Sequence, residues 1–208
     1  MIVLAIDTCG PSGSVSLGRV EPGDLAVLAE TELPGKFYSA QLVPAIRAML
    51  AAAAIDTATL DAIVIVNGPG SFTGIRVGVS TAKGLAQALY IPLLAVSRLA
   101  VLASKAATPA AALDAGRREL YFRDGEREML VPAKTALLTT PGALAVCEPD
   151  VHWFFPDAVL TAVPNAADAL RFAAPRLLTR DFAELTTLDG NYVRRSDAEI
   201  FAKSAGKP

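Results

Sequence analysis

The chain opens on a short apolar run rich in β-branched residues, Ile2 to Ile6, that stops at Asp7. So short a run without helical period predicts a buried strand. Gly10, Pro11, Ser12 and Gly13 form a turn, after which Ser14 to Leu17 alternates small polar with apolar side chains. Leu25 to Leu33 follows the Pro22, Gly23, Asp24 punctuation and completes three consecutive strands. The period then changes. Leu42, Val43, Ile46, Met49 and Leu50 recur at helical spacing, with Ser39 as the expected N-cap and Pro44 bending the start. Asp61 to Val66 has the continuous Ile/Val character of a strand buried on both faces. A glycine-rich loop, a helix to about Tyr90 and a strand at Leu93 to Val96 give the order βββαβαβ. Three meandering strands followed by strands that alternate with helices predict a mixed α/β sheet.

Beyond Arg98 the pattern predicts a helix through Ala107 and a strand at Ala110 to Asp114. ELYFRDGEREMLV reads as a hairpin turned at Asp124 and Gly125, and Val151 to Phe155 as a further strand. Asn165 to Leu178 reads as a helix with Ala169, Leu170, Ala173 and Leu177 inward and a late interruption at Pro175. The closing AKSAGKP reads as a mobile tail. No internal repeat or low-complexity linker stands out, and the expected cut near Val96 to Arg98 divides the chain into 1–97 and 98–208.

Composition narrows the function classes. Of 208 residues 52% are apolar, enough for a sizeable core. Nineteen basic against 21 acidic residues, a net charge of -2, exclude a surface built mainly to grip a phosphate backbone. The basic pairs Arg117 with Arg118, Arg194 with Arg195 and Lys203 with Lys207 read as solvated surface. Cys9 and Cys147 form no disulfide framework and no CxxC, which fits a reducing cytoplasm. The amino terminus lacks a basic leader, and no clean window of roughly 20 apolar residues appears, so a soluble cytoplasmic protein is expected, with no membrane span.

VNGPGSFTGIRVGVSTAKGLA carries the candidate chemistry. Gly68, Gly70 and Gly74 punctuate a strand-to-helix turn, Pro69 fixes one φ angle, and Ser71 or Thr73 can cap the helix, whose exposed amides suit an anion. A Walker A loop needs Lys and Ser/Thr after its second glycine, where Gly74 is followed by Ile75 and Arg76. The dinucleotide fingerprint needs GxGxxG, and the spacing is GxGxxxG. Gly74, Gly78 and Ala82 fall on one nearly bald helix face beside Val77, Thr81 and Leu85. That face can pack on its own sheet or admit another chain.

AIDT, SAQLVPAI, GPGSFTGIRVG with AKGLA, ALDAGRRELYF and NYVRR together resemble the TsaB (YeaZ) family, from Ile2 to about Arg195. The resemblance implies the actin, sugar-kinase and Hsp70 type of fold, in two βββαβαβ-type subdomains with the second abbreviated. It implies a noncatalytic assembly subunit in the synthesis of threonylcarbamoyladenosine on tRNA, partnered by the catalytic paralogue TsaD and by TsaE, self-paired when TsaD is lacking, and touching tRNA only indirectly. The expected partner surface is Tyr38, Ser39, Leu42, Ile46, Gly74, Val77, Gly78, Thr81, Ala82 and Leu85, with the loop as a rigid joint. Asp7 sits where related kinases place an acid for nucleotide-bound magnesium. With Thr8, Gly68, Pro69, Gly70, Ser71, Phe72, Thr73 and Arg76 it marks where ATP or ADP could be met at a subunit boundary; no cofactor of the chain's own is expected. Relatives of this family often carry Arg-x-His-Ser where this chain has Lys36, Phe37, Tyr38 and Ser39, and an aromatic ring suits an interface.

Two other classes, a peptidase and a small-molecule kinase, need residues that this chain lacks. TsaD holds its metal with paired histidines, absent here after AVSRLAVLAS, and the sole histidine, His152 in VHWFF, cannot build a metal site alone. A glycoprotease-like metallopeptidase, or any peptidase, needs either a metal with an open position or an activated nucleophile, yet Cys9 has no nearby histidine and Ser71 no GxSxG elbow. A small-molecule kinase of the same fold would rest on Asp7 and on Asp114 with Gly116, without the glycine pair such kinases use in their second half.

Overall fold

Strand β1 (Ile2–Asp7) is buried from Val3 to Asp7 because it has neighbours on both sides and helices on both faces. It pairs antiparallel with β2 (Gly13–Glu21), which turns into β3 (Asp24–Leu33), and parallel with β4 (Ala62–Val66), itself parallel to β5 (Leu93–Val96). The sheet order is β3-β2-β1-β4-β5. Helix α1 (Tyr38–Ala52) connects β3 to β4, and α2 (Phe72–Leu89) connects β4 to β5. This computed structural model describes residues 1–35, 37–139 and 142–193. Lys36, Arg194, Arg195, Lys203, Lys207 and the AKSAGKP tail lie outside the described residues.

The second half repeats the scheme. After α3 (Arg98–Lys105) come β6 (Ala110–Gly116), β7 (Glu119–Asp124) and β8 (Arg127–Pro132), then α4 (Ala133–Thr139), β9 (Leu144–Val146), α5 (Pro149–Phe154), β10 (Val159–Leu160) and α6 (Ala166–Leu178). The order β10-β9-β6-β7-β8 matches the first sheet strand for strand, a duplication of fold without a visible sequence repeat. Asp7 and Asp114 thereby stand near the carboxyl ends of equivalent central strands. Two mixed sheets of this order, with their helices, form the expected actin-type α/β architecture.

The final helix of each half leaves its own sheet. Helix α3 packs on β6, β7 and β9, where Leu99, Leu102 and Ala103 meet Ala111, Leu113 and Ala145. Helix α6 crosses back to cover the first sheet, and Ala166, Ala169, Leu170, Ala173 and Leu177 join that core. On β6 successive alanines face opposite ways: Ala110 and Ala112 lie with Val151, Phe155 and Ala136, and Ala111 lies with the α3 side chains. Such alternation with burial on both faces is why β6 reads as a continuous apolar run.

Four local expectations are revised. Val151 to Phe155 is not a strand; all but Phe155 lie in α5, which Pro149 opens at its first turn, where its missing N–H costs no bond. Ser39 does not cap α1: the N-cap is Phe37, without a side-chain bond, and Ser39 is already helical. Pro175 does not end α6, which runs on to Leu178 behind a capping box of Asn165 and Asp168. The bald stripe of α2 does not face outward. A Cβ on Gly78 would lie 2.2 Å from Thr8 Oγ1, and one on Gly74 would lie 2.0 Å from the Thr8 carbonyl oxygen, so the helix axis is pulled against the end of β1. Among the described residues no helix is long and apolar enough to cross a membrane.

This contact makes two glycines of one helix behave oppositely. Gly84 has open space around its Cα, so Gly84→Ala should stabilise the fold by about 0.5–1 kcal/mol through backbone entropy. Gly78→Ala should cost about 1–3 kcal/mol through overpacking against Thr8. Urea denaturation of both variants checks the opposite signs.

Candidate functional site

The carboxyl ends of β1 and β6 face one another across a cavity of about 650 Å³. The first half contributes the turn after β1, with Cys9 and Gly10, and the amino-terminal turns of α1 and α2, with Tyr38, Ser71 and Thr73. The second half contributes Asp114, Tyr121 and Glu148, and Arg98 arrives on the first residue of α3.

Each polar group is held by a specific backbone bond. Asp7 Oδ1 accepts from the Cys9 amide at 2.8 Å, and Thr8 Oγ1 donates to the Gly74 carbonyl at 2.7 Å. Ser71 N donates to the Cys9 carbonyl at 2.8 Å, while its Oγ caps α2 by accepting from Gly74 N at 3.3 Å. The Tyr38 hydroxyl donates to the Gly10 carbonyl at 2.8 Å. Desolvation raises the Asp7 carboxyl above its ordinary range, with Arg98 opposing the shift. Burial, with help from the Asp7 charge, pushes the Tyr38 phenol up to about 12. Burial also drives the Cys9 thiol well above its usual value, while its Sγ donates to the Val66 carbonyl at 3.2 Å.

Arg98 is the side chain that sequence reasoning missed. Only 4% of it is exposed, its Nε is buried with no hydrogen-bond partner, and the described residues offer its guanidinium no ion pair. Its backbone is fixed, because the amide donates to the Gly68 carbonyl at 2.7 Å and the preceding Ser97 caps α3. Ser97 Oγ in turn donates to Glu128, which also accepts from Arg123 at 2.8 Å and from Asn191 Nδ2 at 2.7 Å. Glu148 Oε2 accepts from the Asp114 amide at 2.7 Å, and Asp114 Oδ1 accepts from Gly116 N at 2.8 Å. A signal for Arg98 existed: a cation at a helix amino terminus, followed by apolar residues, stands against the helix dipole and needs a compensating anion.

The expected site residues separate into groups. Asp7 and Thr8 lie buried beneath the turn, and Gly70, Ser71 and Thr73 line the cavity. Gly68 and Pro69 are buried in the loop. Phe72 and Arg76 lie together: the guanidinium carbon sits 3.8 Å from the Phe72 ring centroid, and the Tyr192 ring packs on Phe72 at a tilt of 52°, centroids 5.3 Å apart. Of the expected partner surface, Tyr38, Leu42, Ile46, Gly74, Gly78 and Ala82 are buried in the chain's own core and have no free face for a neighbour, because α1 and α2 use them to grip the sheet. Ser39 is exposed, and Val77, Thr81 and Leu85 are half-buried.

Among the described residues that line the cavity, no histidine stands beside Cys9 or Ser71. The Cys9 thiol is protonated and engaged, and the Ser71 hydroxyl serves as a cap. His152 lies in α5 with its Nδ1 buried and unpartnered. Among the described residues no group of three or more His, Cys, Asp or Glu side chains could hold a metal ion.

A family model described as TsaD, tRNA N6-adenosine threonylcarbamoyltransferase, matches residues 28–144, more than half of the chain. An uncharacterised protein of Mycobacterium tuberculosis is 35% identical over 96% of this chain and 95% of its own. The tRNA threonylcarbamoyladenosine biosynthesis protein TsaB of Bacillus subtilis is 35% identical over 66% of this chain and 63% of its own length. The solved structure of YeaZ from Pseudomonas aeruginosa superposes with a TM-score of 0.74 at 26% identity, covering 92% of this chain and 99% of its own. The chain belongs to the TsaB (YeaZ) family. The match to that structure takes in both sheets, so the duplicated architecture is shared by this TsaB-type chain and its relative.

Burial of Asp7 has a measurable sign. Its folded pKa is raised above the ordinary 3.8, so the folded chain holds this proton more tightly than the unfolded chain does. Stability from this group is therefore full below pH 3.8 and declines as pH rises through 3.8 toward the folded value. Asp7→Asn keeps an oxygen for the Cys9 amide and removes that decline. Denaturation midpoints measured across this range should show the variant gaining on the parent chain as pH increases.

Proposed function

We propose that this chain is a noncatalytic subunit of the machinery that makes N6-threonylcarbamoyladenosine in tRNA. It docks on TsaD, which performs the transfer to N6 of adenosine 37, and TsaE joins the same cytoplasmic assembly. Without TsaD, two copies pair through the same patch, an isologous use of one surface. tRNA is met through the partner, and ATP or ADP would be held only at the boundary between subunits.

The supporting observation is the outer surface of α1 and α2. These helices touch one another on one face of the first sheet, and their buried small and branched residues leave other side chains free to face outward. Phe37 beside α1 is 57% exposed, Val43 on α1 44% and Phe72 on α2 39%, large apolar side chains available to a neighbouring chain. Half-buried Val77, Thr81 and Leu85 lie on the same helix as Phe72. Phe72 is also held between Arg76 and Tyr192, so little side-chain entropy remains to be lost on docking. The partner surface is thus the outside of the helices, and the bald stripe supports it from within. The names of the relatives supply the pathway.

Val43→Arg and Phe72→Glu should each weaken binding to TsaD about tenfold or more, the usual cost of losing an aromatic or aliphatic anchor. Circular dichroism should be unchanged. Light scattering of the mixed subunits checks this, alongside a reconstituted tRNA assay in which the chain alone yields no product and restores modification only with TsaD. Turnover by the isolated chain, or complex formation that ignores both substitutions, would refute the reading.

A further inference from the structure

The cavity between the two sheets shares Val77 with the face proposed for docking, and its wall has an unmet electrostatic demand. Arg98 is almost wholly buried, yet among the described residues its Nε finds no acceptor and no carboxylate lies within ion-pair distance. A buried polar group left unpaired costs about 1–3 kcal/mol, more when charged, so a native structure keeps one only where something else satisfies it. Arg98 also occupies the positive end of α3, which adds to the demand for an anion. Its Nη2 lies over Gly10, where a Cβ would come within 2.8 Å of it, and both residues line the cavity. The amino terminus of α2 opens on the same space through Ser71 and Thr73, and a second set of amide donors is found there.

The opposite wall has the reverse character. Asp114 and Glu148 each spend one carboxylate oxygen on a backbone amide, and the second oxygen of each has no partner among the described residues. A phosphate dianion would meet Arg98 but would be repelled by these carboxylates and by Asp7 behind the turn. A plain amine would meet the carboxylates and leave the guanidinium unpaired. Between the two walls Tyr38, Val77 and Tyr121 supply apolar surface. We propose that this cleft binds a small zwitterion of the α-amino acid class, its carboxylate on the Arg98 fork, its ammonium toward Asp114 and Glu148, and its side chain against Tyr38, Val77 and Tyr121. The planar, two-donor guanidinium matches a carboxylate in a way that lysine does not.

Thermal denaturation of the full chain with the proteinogenic amino acids, one at a time, tests this. Propionate, propylamine, inorganic phosphate and ATP serve as comparison probes. At about ten times its Kd a true ligand should raise the melting temperature by about 3–6 °C. At least one amino acid should do so, with the four comparison probes flat. Arg98→Lys and Glu148→Gln should each abolish the rise; should the Arg98 variant fail to fold, the Glu148 variant decides. No response across the amino acids overturns the proposal. So does a rise that survives Glu148→Gln, or one given by phosphate or ATP in place of an amino acid.

Discussion

The exchange of terminal helices between the two halves is the constraint on which the rest of this structure depends. Helix α3 follows the first sheet in sequence but packs on the second, and α6 follows the second but covers the first. Neither sheet can bury its apolar face without the helix that belongs to the other. The two helices also touch, and the partly buried Lys105–Asp168 pair at 2.6 Å joins them. Asp168 serves twice there, since it also closes the capping box at the start of α6. A hydrophobic requirement therefore holds the carboxyl ends of β1 and β6 opposite one another, and the cavity between them is a consequence of that packing.

The carboxyl-terminal segment reinforces the same arrangement. After α6 the chain runs back along the first half: Ala183 bonds to the Leu93 carbonyl, Lys83 donates to that of Leu188, and Asn191 N donates to that of Asn67. Asn191 Nδ2 then reaches Glu128 on β8, where Ser97 and Arg123 also converge. One carboxylate thus ties the start of α3, the second sheet and the returning segment. The NYV part of the NYVRR motif has a physical use here: its asparagine joins the halves, and its tyrosine packs at a tilt against Phe72 on α2.

Much of this was legible in the chain itself. The buried strands β1 and β4 announced themselves by continuous apolar runs, and α6 by its repeating inward alanines and leucines. What failed was the direction of a face. Gly74, Gly78 and Ala82 mark a close approach, but spacing alone does not say to which backbone, and Thr8 lies far away in sequence. Spacing likewise could not tell which side of α1 was free: Leu42 and Ile46 turn inward and Val43 outward, a distinction set by where the sheet lies. VHWFF shows alternation over too few residues to separate strand from helix, and the proline that opens α5 lies just before it. The short elements α4, β9 and β10 had too little length for any period to register.

Arg98 shows how a site can be hidden in plain sequence. An arginine among RLAVLASK looks like a surface residue on an amphipathic helix, and its burial follows only from the helix being taken over by the opposite sheet. The same exchange that stabilises the fold therefore carries a charge into the interior and sets it beside the turn after β1. A lysine could lower its pKa and shed its proton in such a place, but a guanidinium stays charged. Asp7 behind the turn supplies part of the compensating negative charge, with Glu148 adding to it from across the cavity. The outer helices thus carry exposed apolar side chains, while the interior sets a buried cation opposite two carboxylates.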